Sequence, residues 1–194
     1  MRKPAFFVLA AALVATVAFV TVHAADQQTL PSVGQAAPTF TLPSQDGSQI
    51  SLKSFRGKWV VLYFYPKDMT PGCTIEAHNF QRDLPQYEQK NSVILGVSED
   101  TPDSHQQFCT KEGLTFRLLA DSNHTVATAY GSLGNFAGMT IANRNTFLID
   151  PTGKIAQVWT KVDPSTHSPA VLSAISSLSA GPMQPHSLSV KPPQ

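Results

Sequence analysis

Cys73 has the widest chemical range of any residue in this 194-residue chain. It follows Thr70-Pro71-Gly72, and Thr before Pro is a helix start, with Thr as N-cap and Pro at the first helical position. The sulfur therefore sits in a first helical turn, where unpaired backbone N–H groups and the positive end of the helix dipole favour a thiolate over a thiol. A cysteine of ordinary pKa, about 8.5, is only about 3% ionised at pH 7, and a shift of about 2.5 units, or about 3.4 kcal/mol, makes it mostly thiolate. One helix turn does not supply that much, and a cation is the natural supplement. Arg144 is the candidate, in Asn143-Arg144-Asn145 just ahead of Thr146-Phe147-Leu148-Ile149. From the lip of a strand its fork of donors can hold both a thiolate and an oxygen substrate, although a solvated or salt-bridged Arg explains the same position. Glu76 falls in the same helical turn as Cys73, and there an acid is also favoured simply by the helix dipole.

The elements around these residues alternate between the two periodicities. Trp59 to Tyr65 is seven apolar residues in a row, β-branched and aromatic, as expected of a strand covered on both faces. The helix that starts at Thr70-Pro71 runs through Ile75, Ala77, Phe80 and Leu84, with Pro85 placed to kink or end it. Val93 to Val97 is a second buried strand, and Thr101-Pro102 repeats the helix start and leads to Phe108 and Cys109. Thr39 to Leu42 and Gln49 to Leu52 alternate around Gln45-Asp46-Gly47-Ser48 and read as a hairpin. Asn123 to Tyr130 is a short helix. Thr146 to Ile149 and Ile155 to Trp159 flank the turn residues Asp150 to Lys154, and Ser168 to Ser179 is a last helix. Strand, helix, strand, helix, hairpin and helix make an α/β sandwich with a central mixed sheet flanked by helices.

Composition fits a single packed domain. Hydrophobic residues are 42% and charged residues 14%, which excludes a disordered or coiled-coil chain, and two cysteines exclude a disulfide-dense scaffold or a four-cysteine zinc site. The formal charge of +1 offers no basic face for nucleic acid. Arg2 and Lys3 precede an uncharged apolar stretch, Pro4 to Val22, and Val22-His23-Ala24 leads to a polar sequence. Residues 1–24 read as a signal peptide cut after Ala24, with an exported, periplasmic location and no membrane insertion after cleavage. An uncleaved anchor is the alternative, because about that many apolar residues can span a bilayer. Residues 25–37 form a lead segment, 38–179 the folded domain, and 180–194, rich in Pro, Ser and Gln, a disordered tail.

No cofactor or metal site is expected. His78 shares a helix with Cys73 and Glu76, but five residues along a helix turn it about 140° away from the cysteine face. His105, His124 and His167 lack ligand spacing and read as exposed; Gly131, Gly134 and Gly138 read as a flexible loop rather than a phosphate cradle.

Pro66-x3-Thr70-x2-Cys73, with Phe64-Tyr65-Pro66-Lys67-Asp68, Thr70-Pro71-Gly72-Cys73-Thr74 and Arg144 ahead of Thr-Phe-Leu-Ile-Asp, resembles the peroxiredoxins, and among them the bacterioferritin comigratory protein or Q-type subfamily. The likeness extends from Pro38 to Ser179. It implies a thioredoxin-like fold and a thiol peroxidase acting on hydrogen peroxide and organic hydroperoxides, with a thioredoxin-like or small-thiol reductant and a monomeric state. Carried across, Cys73 is the peroxidatic nucleophile that becomes a sulfenic acid. Thr70 hydrogen-bonds the thiolate or substrate, Arg144 stabilises the thiolate and the departing oxygen, Pro66 shields the sulfur, Gly72 and Cys73 lend backbone donors, and Glu76 orients the Arg or the loop. Many Q-type members place a resolving cysteine five residues after the first, where this chain has His78. The resemblance then leaves Cys109, 36 residues on, as the resolving partner. Alternatively, Cys109 is a small core residue and an outside thiol completes the cycle. Two rival readings remain: a thioredoxin-like reductase or metallochaperone, disfavoured because Thr70 replaces the first residue of a Cys-x-x-Cys pair, and a binding domain with a structural disulfide.

Overall fold

A computed structural model describes residues 29–180. The expected signal segment, its expected cleavage point and the tail beyond Ala180 lie outside the described residues.

The long apolar run forms β3 (Trp59–Phe64), the middle strand of a five-stranded sheet. Its period-two alternation splits the core. Val60, Leu62 and Phe64 enter one apolar cluster, while Val61, Tyr63 and the following Tyr65 enter the other. On one side β3 pairs in parallel with β4 (Ser92–Ser98), which pairs in parallel with β5 (Arg117–Ala120). On the other it pairs antiparallel with β8 (Thr146–Ile149), itself antiparallel to β9 (Ile155–Trp159). The sheet is therefore mixed, in the order β5-β4-β3-β8-β9. Helices α1 (Pro71–Gln89), α2 (Pro102–Glu112) and α4 (His167–Ser179) supply the cluster around Tyr63, and α3 (Thr125–Ala129) with the N-terminal segment supplies the cluster around Phe64. The expected first hairpin is present as β1 (Thr41–Pro43) and β2 (Gln49–Ser51).

Several expectations are corrected. Pro85 does not end α1; the helix runs on to Gln89, because Tyr87 is wholly buried and its hydroxyl donates to the Ser168 carbonyl at 2.8 Å, fastening the last turn to α4. Ile75 is exposed, since the buried stripe of α1 follows Cys73, Ala77, Phe80 and Tyr87, and Ile75 lies about 200° from Cys73. The Gly131 to Gly138 stretch is ordered, forming the hairpin β6 (Leu133–Phe136) and β7 (Met139–Ala142). Its two-residue turn has positive φ at both Ala137 (50°) and Gly138 (81°), the handedness that a tight hairpin needs. His105 and His167 are buried, each with one ring nitrogen against a polar partner.

Candidate active site

Cys73 is the third residue of α1 and is almost fully enclosed. The first helical bond runs from the Thr74 N–H to the Thr70 carbonyl, so the Gly72 and Cys73 N–H groups point out of the helix without an intrahelical acceptor. Arg144 arrives just ahead of the neighbouring strand, at the same end of the sheet. Because β3 and β8 pair with Tyr63 opposite Thr146, the residue two before Thr146 falls level with Tyr65, at the start of the loop into α1. Its backbone is held there: the Phe64 N–H donates to the Asn145 carbonyl at 2.8 Å, the Asn145 side chain donates to Ser132 Oγ at 3.1 Å, and the Val162 N–H donates to the Arg144 carbonyl at 3.2 Å.

The guanidinium divides its fork. Nη2 lies 3.3 Å from Cys73 Sγ, and Nη1 donates to Glu76 Oε2. Arg144 and Glu76 both lie largely out of water, with side-chain exposures of 16% and 1%. Burial pushes the Glu76 carboxyl up to about 7, against the pull of Arg144. The other carboxyl oxygen, Oε1, is buried without a hydrogen-bond partner. Burial would lower the Arg144 guanidinium, but the charges of Glu76 and Cys73 outweigh it and raise it further, so the cation persists at every relevant pH. A Cβ added to Gly72 would lie 3.4 Å from Arg144 Nη2, so the backbone passes directly under the guanidinium. This arrangement offers a sulfur nucleophile, a fixed cation beside it and free N–H groups around the spot where an oxygen anion develops.

Pro66 and Thr70 are half-buried at the loop into α1. The Thr70 hydroxyl donates its one proton to the Lys67 carbonyl at 3.0 Å rather than to the sulfur. Its lone pairs remain to accept a bond from a bound hydroxyl. His78 is exposed and pairs with Glu112 of α2 at 2.9 Å.

Both cysteines are free and buried, and both belong to the cluster around Tyr63. Burial, with a smaller contribution from the Asp68 carboxylate, pushes the Cys109 thiol up to about 11. A buried polar cluster that was not read from the sequence links the loop before α1 to α2. Asp68 accepts from Tyr65 Oη at 2.7 Å, from Ser104 Oγ at 2.7 Å and from His105 Nδ1 at 2.9 Å. The Asp68 N–H in turn donates to Asp100 Oδ2 at 2.8 Å. One sequence signal pointed here: His105 and Cys109 stand four apart on a helix and so share a face.

Comparison with known proteins decides the family. Residues 33–158 match the AhpC/TSA family model. Peroxiredoxin Bcp of Xanthomonas campestris is 41% identical over 145 residues, covering 72% of this chain and 91% of the relative. The Escherichia coli K12 peroxiredoxin Bcp is also 41% identical, over 143 residues, covering 72% and 92%. The chain belongs to the AhpC/TSA family, among the Bcp peroxiredoxins. Solved structures agree: a Cys-to-Ser mutant of Xylella fastidiosa PrxQ superposes with a TM-score of 0.75 at 34% identity, covering 78% of this chain and 99% of that one. Xanthomonas campestris bacterioferritin comigratory protein, described there with alkyl peroxide reduction activity, gives 0.71 at 35% identity, covering 76% and 99%. The fold is thus thioredoxin-like and the chain is a thiol peroxidase, with a peroxide as substrate and a thiol as reductant. Membership removes the reductase, metallochaperone and structural-disulfide readings.

Proposed function

We propose that this peroxiredoxin reduces hydrogen peroxide and organic hydroperoxides at Cys73, and that Cys109 resolves the resulting sulfenic acid as an intramolecular disulfide. The observation that carries the reading is the Arg144 fork, bonded to Cys73 Sγ and to Glu76 at the mouth of α1. The thiolate attacks one peroxide oxygen, the O–O bond breaks, and the leaving oxygen departs as water or alcohol after taking a proton. Arg144 and the N–H groups of Gly72 and Cys73 stabilise the charge as it moves to that oxygen, Thr70 accepts from the peroxide hydroxyl, and Pro66 keeps water from the sulfur. Glu76 orients the guanidinium.

Cys109 then attacks Cys73 Sγ, which requires the first turn of α1 to unwind, because two cysteines on separate helices seldom begin within the roughly 7 Å that a disulfide allows. Two solved Xanthomonas campestris peroxiredoxin Q variants replace cysteines 36 positions apart, the same separation as Cys73 and Cys109. A thioredoxin-like protein or a small thiol reduces the disulfide. The second reading, a one-cysteine cycle closed by an outside thiol, draws support from the burial and raised pKa of Cys109. We place the mature chain in the periplasm, on the strength of the N-terminal basic and apolar segments that precede the family match, and take it as a monomer from the Q-type resemblance alone.

The test is intact mass and free-thiol count of the reduced protein after one equivalent of hydrogen peroxide, with Cys109→Ser alongside. The two-cysteine cycle predicts loss of both thiols and two hydrogens, with a trappable sulfenic acid in the variant. Oxidation of one thiol alone in both proteins selects the one-cysteine cycle, and no reaction in either removes Cys73 as the nucleophile. Amino-terminal sequencing of protein recovered from the periplasm checks the cut after Ala24.

A further inference from the structure

His105 is wholly buried on α2, one helical turn before Cys109. Its Nδ1 faces Asp68 Oδ2 at 2.9 Å. Burial pushes the Asp68 carboxyl up, but hydrogen bonds from His105, Tyr65 and Ser104 overcome it and hold the group below the usual carboxylate range. Asp68 is therefore an ionised acceptor with no proton to give, and Nδ1 must be the donor. This fixes the tautomer of the neutral ring: the proton is on Nδ1 and the lone pair on Nε2. Nε2 is buried and has no hydrogen-bond partner. An imidazole held by a carboxylate, with its second nitrogen enclosed and unused, is costly to bury for structure alone.

The neighbouring group is a thiol that needs a base. Residues four apart on a helix have Cβ atoms about 5–6 Å apart, and helical side chains lean toward the N-terminus, so Cys109 projects over the turn that carries His105. Left to itself, a thiol pushed up to about 11 is a thiolate only about once in ten thousand molecules at pH 7.

We propose that His105 Nε2 is the general base of the resolving step, taking the Cys109 thiol proton while Asp68 holds the ring in position. The inference rests on the reading of Cys109 as the resolving cysteine. The Cys109 S–H bond breaks and its proton passes to Nε2. The thiolate pair forms the S–S bond to Cys73 Sγ as the S–O bond of the sulfenic acid breaks, and the oxygen leaves as water with the proton returned from His105. Thiol and sulfenic acid become disulfide and water, and the peroxide already consumed is the only oxidant. The titratable groups bonded to the ring are Asp68 from the loop before α1 and Tyr65 from the end of β3, with Asp100 behind Asp68, and Cys109 stands one turn further along its own helix.

The test separates the two chemical steps in the full chain. Reduced wild type, His105→Asn and Asp68→Asn are mixed with hydrogen peroxide and quenched at intervals from pH 6 to 8. Sulfenic acid is counted as its dimedone adduct, and disulfide by mass. Asn at position 105 keeps an N–H near the Nδ1 position and loses the base. The expected result is sulfenic acid formation at the wild-type rate, with disulfide formation about 10²-fold slower and rising about tenfold per pH unit, against a shallower rise in wild type. Asp68→Asn shows the same accumulation of sulfenic acid over disulfide to a smaller degree, and reads the inference if the His105 variant does not fold. Disulfide formation within twofold of wild type on the same pH profile overturns it, as does equal loss of both steps. Persistent sulfenic acid in the wild type itself instead removes Cys109 as the resolving residue.

Discussion

Replacing Glu76 by Gln should stabilise the protein relative to wild type progressively as pH rises from about 4.5 to 7, and in full above that. The carboxyl is 1% exposed, so solvent screening does not blunt the effect. Its pKa rises from 4.5 to about 7 on folding. A raised acid binds more protons in the folded than in the unfolded state, so the stability it contributes is complete below about 4.5 and is lost as pH climbs through 7. The shift corresponds to about 3 kcal/mol, developed at up to about 1.4 kcal/mol per pH unit. Gln keeps the shape and an oxygen for Arg144 Nη1 but cannot ionise. Urea unfolding of reduced wild type and Glu76→Gln at pH 4, 5.5, 7 and 8.5 gives a difference in which the titrating groups remote from Glu76 cancel. The expected difference moves by about 3 kcal/mol in favour of Gln from the lowest pH to the highest. A flat difference, or one moving toward wild type as pH rises, would mean that Arg144 keeps Glu76 ionised throughout and that pairing outweighs burial.

Two further outcomes test the geometry. Arg144→Lys should slow the reaction of Cys73 with hydrogen peroxide by about 10²-fold in a stopped-flow or catalase-competition assay, because a single ammonium cannot bridge Cys73 Sγ and Glu76 as the fork does. A rate within threefold of wild type would show that any nearby positive charge suffices. Gly96→Ala should lose about 2 kcal/mol in urea unfolding, since a Cβ there would lie 2.7 Å from both Leu118 Cδ2 and Tyr63 Oη, atoms of side chains packed in the core. An unchanged midpoint would mean that Tyr63 gives way without cost.

The elements most legible in the sequence were those whose burial is two-sided or whose ends carry a cap. Trp59 to Tyr65 is apolar throughout because both faces of β3 are covered, and Thr-Pro marked the starts of α1 and α2. β5 escaped notice because Arg117–Ala120 is short and its neighbours Phe116 and Leu114 blur its edges. The β6–β7 hairpin escaped because its tip is built on Ala137 with positive φ, a conformation that alanine seldom signals. The final helix was placed within one residue, starting at His167 instead of Ser168.

The site divides the same way. Cys73, Arg144 and Glu76 were legible as a motif, and the register of β3 against β8 is what converts 68 residues of separation between Glu76 and Arg144 into contact. Periodicity could not have supplied that register, because antiparallel partners far apart in sequence are selected by the whole core rather than by either strand. The buried histidines are the instructive failure. For want of ligand spacing His105 and His167 read as exposed, yet each is enclosed with a specific partner: Asp68 from the β3–α1 loop for one, and Thr146 at 2.8 Å for the other. Burial and Arg144 together push His167 down to about 4, so it is a neutral ring in the core beside Thr146 and carries no charge into the site. His105 differs because its partner is an ionised carboxylate, which orients the ring and leaves a lone pair to spare. Two histidines with the same sequence signature thus have different chemical capacities, and the difference lies in the partner that a distant segment brings to each.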